Sequence, residues 1–114
     1  KYIRNTHMKY EFTQNEKLAA LHLVDECLTG MGGGRPMDLE YDQFIWTDVS
    51  VLIDAGWSKH EAAGTYGALE AKKAVYIEKD CRDDEAWEDT IYIPLYEWAE
   101  DHWDEFVANG KPSK

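Results

Sequence analysis

Residues 52–75, LIDAGWSKHEAAGTYGALEAKKAV, contain a tight turn between two segments that carry helix signals. Gly56 stands where a left-handed C-terminal cap would end a short helix, for which Thr47 or Asp48 supplies the N-cap. A capping box over residues 58–61, with Ser first and Glu three residues later, opens the next helix. The segment therefore predicts two helices joined by a tight turn.

Upstream of this turn, the chain carries a second capping box and a glycine-rich loop. The box covers residues 13–16, with Thr first and Glu last, and it predicts a first helix over about residues 14–28. The glycines within residues 30–34 end this helix, and we expect a flexible loop there.

Downstream of the turn, the chain has the composition of a β-hairpin followed by a last helix. Residues 74–79 and 90–93 are rich in β-branched and aromatic residues, and the polar segment 80–89 joins them. Pro94 suits the first turn of the last helix, which we expect to end before Asn109.

This order of elements leads to a resemblance. Residues 48–93, and above all the segments 52–58 and 62–75, resemble the core of winged-helix regulators of the MarR type. The recognition helix of that family ends in a Leu-Glu-x-Lys-Gly-Leu-Val-like segment, and this chain has Lys73-Ala74-Val75 where the family usually shows Gly-Leu-Val. The resemblance implies an α+β fold, mostly α: a winged helix-turn-helix with three helices, a β-hairpin wing and a C-terminal helix. The alternative is an unrelated α+β domain.

The length of 114 residues favours one domain. We expect residues 1–12 to be a disordered or tag-derived segment, residues 13–108 to be the domain, and residues 109–114 to be a tail. No apolar run approaches the ~18 residues of a membrane span, which predicts a soluble, cytoplasmic protein. Cys27 and Cys81 form no CxxC pair, and we expect two free thiols in a reducing compartment.

The negative charge is concentrated in one part of the chain. The formal net charge is -11, and residues 83–105 hold ten acids and no Lys or Arg. Residues 59–82 are nearly balanced, with five bases and four acids. Such a charge distribution repels nucleic acid and attracts basic partners.

The helix that would read DNA lacks the usual base-reading residues. A winged helix that binds DNA places its recognition helix in the major groove, where Arg, Asn and Gln read bases. The helix after residue 58 contains none of these three residue types. The residues that could contact DNA are Ser58, Lys59, His60, Thr65 and Lys72.

The same helix has an outward face of small residues. Ala62, Tyr66 and Leu69 fall on one side, which we expect to be buried, while Gly64 and Gly67 fall on the opposite side. Two glycines within a helix cost about 1 kcal/mol each relative to alanine. Either a partner packs against this face, or the glycines make room for the domain's own aromatic residues.

The predicted wing is acidic and holds one large aromatic residue, Trp87. This composition indicates a surface for a basic partner protein, on which the tryptophan would act as an apolar anchor. The predicted partner-binding residues are Asp83, Asp84, Glu85, Trp87, Glu88 and Asp89. In the last helix, Tyr96 and Trp103 lie on another side from the predicted core residues and are candidates for dimerisation, as terminal helices of MarR-type proteins dimerise. The alternative is that this helix is buried deeply within its own domain.

These observations give two hypotheses. The first is a non-enzymatic acidic binding protein that acts through protein contacts, such as a phage anti-defence inhibitor that mimics the charge of nucleic acid. The second is a dimeric DNA-binding transcriptional regulator.

No motif for catalysis or cofactor binding is complete. Residues 60–64, HEAAG, lack the second histidine of a zinc-protease motif, and the glycines of 30–34 lack the lysine of a phosphate loop. The acids of the last helix form one stripe that we expect to be solvated. We therefore predict no catalytic residue, no metal and no cofactor.

Overall fold

The computed structural model describes residues 10–41, 46–48, 50–78, 90–92 and 95–112. These residues form an α+β structure that is mostly helical, as the sequence predicts. In chain order the elements are α1 (Gln14–Gly30), a 3-10 helix (Pro36–Tyr41), β1 (Trp46–Asp48), α2 (Val51–Asp54), α3 (Lys59–Ala71), β2 (Tyr76–Glu78), β3 (Thr90–Tyr92) and α4 (Tyr96–Ala108).

Both predicted capping boxes are present. The amide of Glu16 donates to Thr13 Oγ1 at 3.2 Å, and the amide of Thr13 donates back to Glu16 Oε1 at 2.9 Å. At the start of α3, the amide of Glu61 donates to Ser58 Oγ at 3.1 Å. Each box satisfies backbone donors that the first turn of a helix leaves without a partner.

The four α-helices end in the same way. After each helix the chain passes through the left-handed region, at Gly32 (φ 100°), Gly56 (φ 102°), Lys73 (φ 61°) and Gly110 (φ 77°). After α3, the amide of Lys73 donates to Glu70 O and the amide of Ala74 donates to Leu69 O, both at 2.9 Å, which is a Schellman motif. The predicted cap at Gly56 is confirmed, and lysine occupies the equivalent position after α3.

The three strands form an antiparallel sheet in the order β1-β3-β2. The sequence predicts β2 and β3, of which β2 begins two residues later than expected, but it does not predict β1. The prediction that Thr47 or Asp48 caps α2 is wrong, because both residues pair with β3 as part of β1. Helix α2 instead begins after Ser50, which makes no capping hydrogen bond through its side chain.

The core lies around α1, because this helix is buried on most of its circumference. Its buried residues include Leu21, Leu23 and Val24. Helix α3 contributes the predicted face, Ala62, Tyr66 and Leu69. The hydroxyl of Tyr66 also accepts a hydrogen bond from the buried amide of Leu52 at 3.3 Å, which fixes α2 against α3.

Both ends of the described chain pack on the domain. Tyr10 and Phe12 stack with ring centroids 5.0 Å apart, and Phe12 meets Trp98 of α4 edge to face at 5.0 Å. Lys111 pairs with Asp25 at 2.8 Å. Residues on both sides of the predicted domain, at 10–12 and 111, thus contact its helices.

No helix of the described residues is long and apolar enough to cross a membrane.

Candidate functional site

The middle of the outward face of α3 consists of small, uncharged residues. Gly64 and Gly67 are exposed, and a Cβ built on either one would meet no atom within 4 Å. The explanation that these glycines make room for the domain's own aromatic residues is therefore wrong for the part of the chain that the structure describes.

Lys72, a candidate for the DNA groove, is held by the domain itself. Its Nζ donates to Glu16 Oε1 and to the backbone oxygen of Glu11, both at 2.6 Å. It also lies 5.8 Å from the centroid of the Phe12 ring. The ammonium group thus ties the end of α3 to the beginning of α1 and to the segment before it.

The partner of this lysine is a buried carboxylate. Burial acts to raise the pKa of Glu16, but hydrogen bonds from Lys72 and Thr13 outweigh it, so that the pKa is lowered from its ordinary value. The Glu16 side chain is 12% exposed and that of Lys72 is 37% exposed. This contact explains why a glutamate is tolerated among the buried residues of α1.

The other DNA candidates lie at the start of α3 and, for Thr65, in its middle. Ser58 is occupied as the N-cap, Lys59 and His60 are exposed, and Thr65 is half-buried. Lys59 and His60 are therefore exposed at the N-terminal end of α3, whereas Lys72 at the C-terminal end donates hydrogen bonds within the domain.

The acids of α4 do not form the uniform solvated stripe that the sequence predicts. Arg35, at the end of the glycine-rich loop, pairs with Glu100 at 2.8 Å and with Asp104 at 3.0 Å. Glu100 is partly buried, and its Oε1 also accepts a hydrogen bond from the amide of Met37 at 3.2 Å. Hydrogen bonds to the two carboxylates raise the pKa of the Arg35 guanidinium. Part of this acidic face therefore anchors the loop.

The proposed wing residues lie outside the described residues. They are Asp83, Asp84, Glu85, Trp87, Glu88 and Asp89.

The two dimerisation candidates lie in different surroundings. Trp103 is 5% exposed and packs against Phe106, with ring centroids 5.2 Å apart, so this side chain belongs to the core of its own chain. The expectation that Trp103 faces a second subunit needs correction, because a buried ring offers no surface. Tyr96 is half-buried.

Cys27, the cysteine within the described residues, is free and buried. Burial, followed by the nearby Glu26 carboxylate, raises the pKa of the Cys27 thiol to about 12, which makes it a poor nucleophile. No group of three or more His, Cys, Asp or Glu side chains in the described ranges could hold a metal ion. A cavity between α1 and α4 has a volume of only about 50 Å³, far below the ~300–1,000 Å³ of a small-molecule site.

The sheet brings together a set of residues that the sequence analysis does not single out. Trp46 of β1 and Tyr76 of β2 each pair with Tyr92 of β3, so three aromatic residues share one level across the sheet. Tyr76 is 55% exposed. The sequence alone does not reveal that these three residues are aligned, because β1 is only three residues long and its partner strand is distant in the chain.

None of the family models, characterised proteins or solved structures with which the chain was compared matches it.

Proposed function

We propose that this chain is a non-enzymatic winged-helix protein that binds a basic surface of another protein. The winged-helix assignment is supported by the element order, in which a helix pair precedes a strand pair that joins β1 in one antiparallel sheet. The resemblance of residues 48–93 to MarR-type regulators supports the same frame.

One observation carries the choice of a protein partner over DNA. The middle of the outward face of α3 carries two glycines, Gly64 and Gly67. Lys72, at the C-terminal end of this helix, donates hydrogen bonds to Glu16 and to the backbone oxygen of Glu11. DNA affinity depends mainly on cations that neutralise phosphates. A helix with so few available cations, in a chain of net charge -11, is poorly suited to this role.

The acidic segment 83–89 and the acidic face of α4 are the proposed contact surface. Their carboxylates would take the place of phosphates on a basic surface that normally holds nucleic acid, as small phage anti-defence inhibitors do. Trp87 would supply an apolar anchor, because buried charge pairs by themselves contribute uncertain affinity. A cytoplasmic location and a homodimer, with Tyr96 near its interface, are part of this proposal.

Competition by DNA tests this mimicry. The immobilised domain is incubated with proteins that a heparin column retains, and duplex DNA is then added as a competitor. We expect the captured proteins to be released by the duplex, because both ligands occupy one basic surface. Capture that excess duplex leaves unchanged would contradict a nucleic-acid mimic.

A charge-reversal variant tests the acidic segment. Asp83→Lys/Asp84→Lys should abolish most of this DNA-sensitive capture, and Trp87→Ala should weaken it. The matched control is Asp54→Lys/Glu70→Lys, which makes the same charge change at two exposed positions of the helix pair. Equal losses in the two double variants would assign the effect to net charge and remove the acidic segment from the proposal.

The second candidate function is a dimeric DNA-binding transcriptional regulator. The observation that favours it is the exposure of Lys59 and His60 in the first turn of α3, where a recognition helix contacts the groove. Binding of duplex DNA that is lost in Lys59→Ala/His60→Ala would establish this alternative.

A further inference from the structure

The cleft between α1 and α4 has an apolar floor. The floor consists of Leu18 and Leu21 of α1 and Phe106 of α4, which all belong to the core. The volume of about 50 Å³ has room for about one or two water molecules or for a short apolar group. The cleft is therefore too small for a separate organic ligand, but it can receive one slender side chain from a partner.

Polar groups surround the mouth of this cleft. The carboxylate there is Glu105, whose side chain is 71% exposed and whose Oε1 lies 4.0 Å from Lys17 Nζ, a long contact for an ion pair. His102 also lines the cleft, and its Nδ1 lies 2.9 Å from the backbone oxygen of Trp98. A carbonyl oxygen only accepts hydrogen bonds, so Nδ1 is the donor, and Nε2 of the neutral ring is an acceptor. Glu105 and His102 thus place two acceptors beside the apolar floor.

We propose that this cleft receives a lysine side chain of the basic partner, an inference that rests on the proposed function and specifies one contact of that partner. Lysine has an apolar four-carbon stem and a compact charged end, so the stem can lie on an apolar surface while the ammonium group stays near water. The stem would contact Leu18, Leu21 and Phe106. The ammonium group would donate to Glu105 and His102.

The carboxylates of α4 favour lysine over arginine in this cleft. Elsewhere on α4 two carboxylates, Glu100 and Asp104, hold the planar guanidinium group of Arg35. Among the described residues that line the cleft, Glu105 is the one carboxylate, which suits a compact ammonium group. An anionic side chain could approach Lys17, but it would lie beside Glu105 in a chain of net charge -11. The charge of the cleft therefore favours a cation.

Three fluorescent nonapeptides of ornithine, with lysine, ornithine or leucine at the central position, test the inference by anisotropy at low salt. Lysine carries one methylene group more than ornithine at the same charge. Because burial of this group strengthens binding, we expect the lysine peptide to bind about two- to fourfold more tightly than the ornithine peptide. The leucine peptide lacks the central charge, so it should bind more weakly than the lysine peptide.

Two pairs of variants locate this preference in the cleft. Gln14 lines the mouth, whereas the neighbouring exposed residue, Asn15, does not. Gln14→Phe fills the mouth and should remove the preference for lysine over ornithine, while the matched control Asn15→Phe should retain it. Glu105→Gln should weaken binding of the lysine peptide about two- to fivefold. Glu70→Gln, the same charge change at an exposed position of α3, should weaken it less.

The possible outcomes separate this inference from the proposed function. Equal affinity of the lysine and ornithine peptides, tighter binding of the leucine peptide, or a lysine preference that survives Gln14→Phe would each overturn the cleft as a lysine site. The DNA-competition experiment judges the proposed function independently, because its result depends on whether duplex DNA and the domain occupy one basic surface.

Methyl chemical shifts of the wild-type chain give a second readout, which does not depend on the folding of a variant. Larger shifts of the Leu18 and Leu21 methyl groups with the lysine peptide than with the ornithine peptide would support the inference. Shifts confined to methyl groups outside the cleft would overturn it.

Discussion

Lys73 occupies a backbone position that favours glycine. Its φ of 61° is in the left-handed region, and its amide and the next one close the Schellman motif after α3. A residue with a Cβ is strained there by about 1–2 kcal/mol, while glycine adds entropy to the unfolded chain.

Replacement of this lysine should therefore stabilise the protein. We expect Lys73→Gly to raise the free energy of unfolding by about 0.5–1 kcal/mol in urea denaturation. Lys73→Ala removes the same charge but keeps a Cβ, so it should give no comparable gain. Equal gains in the two variants would show that charge, and not backbone strain, limits this position.

Because Glu16 pairs with Lys72, we expect the protein to lose stability in acid. The folded-state pKa of Glu16 is lowered, so its contribution is complete above the unfolded-state pKa of about 4.3 and is lost as the pH falls through the folded-state value. Lys72→Met should lower the free energy of unfolding by about 1–2 kcal/mol at neutral pH and by less in acid. This range is reduced because the pair is partly exposed to solvent. Urea denaturation against pH measures this, with exposed Lys59→Met as the control; an equal cost at both pH values would refute the linkage.

The helix starts and ends that the sequence predicts correctly are those that depend on local signals. Both capping boxes join residues only three positions apart, and the Gly56 cap depends on its own φ, so the sequence contains the whole cause. The sequence does not predict strand β1, because its three residues are stabilised by pairing with β3, far along the chain. Nor does it predict the contact of Lys72 with Glu16, since these residues are also distant in the chain.

Helix α4 shows how periodicity alone can misplace a side chain. The spacing of Tyr96 and Trp103 suggested a second interface, but the chain after the helix folds back, and Lys111 Nζ lies 5.8 Å from the Trp103 ring. A helix covered by its own tail and by α1 buries more of its circumference than an exposed amphipathic helix does.

A pair of truncations at α4 tests this assignment. Trp103→Ala should lower the free energy of unfolding by about 3–5 kcal/mol, because it removes a buried aromatic ring. Tyr96→Ala, at a half-buried position, should cost clearly less. Thermal denaturation and sedimentation measure stability and oligomeric state together; a stable Trp103→Ala chain that has lost self-association would restore the interface interpretation.

At the scale of the whole molecule, net charge and ion pairing both disfavour DNA as the ligand. The chain has 23 acids against 12 Lys and Arg, and at least two of the bases, Arg35 and Lys72, pair with the chain's own carboxylates. The sequence alone supplies the acidic excess, but only the fold shows which cations are already engaged. The chain thus carries an acidic excess, and within its described part some of the cations are held by its own carboxylates instead of being available to phosphate.

Titration of a labelled mixed-sequence duplex DNA with the domain at low salt tests whether the domain avoids nucleic acid, because nonspecific phosphate contacts are strongest there. We expect no change in the anisotropy of the duplex up to high micromolar protein. Saturable micromolar binding that weakens steeply as salt is added would contradict it.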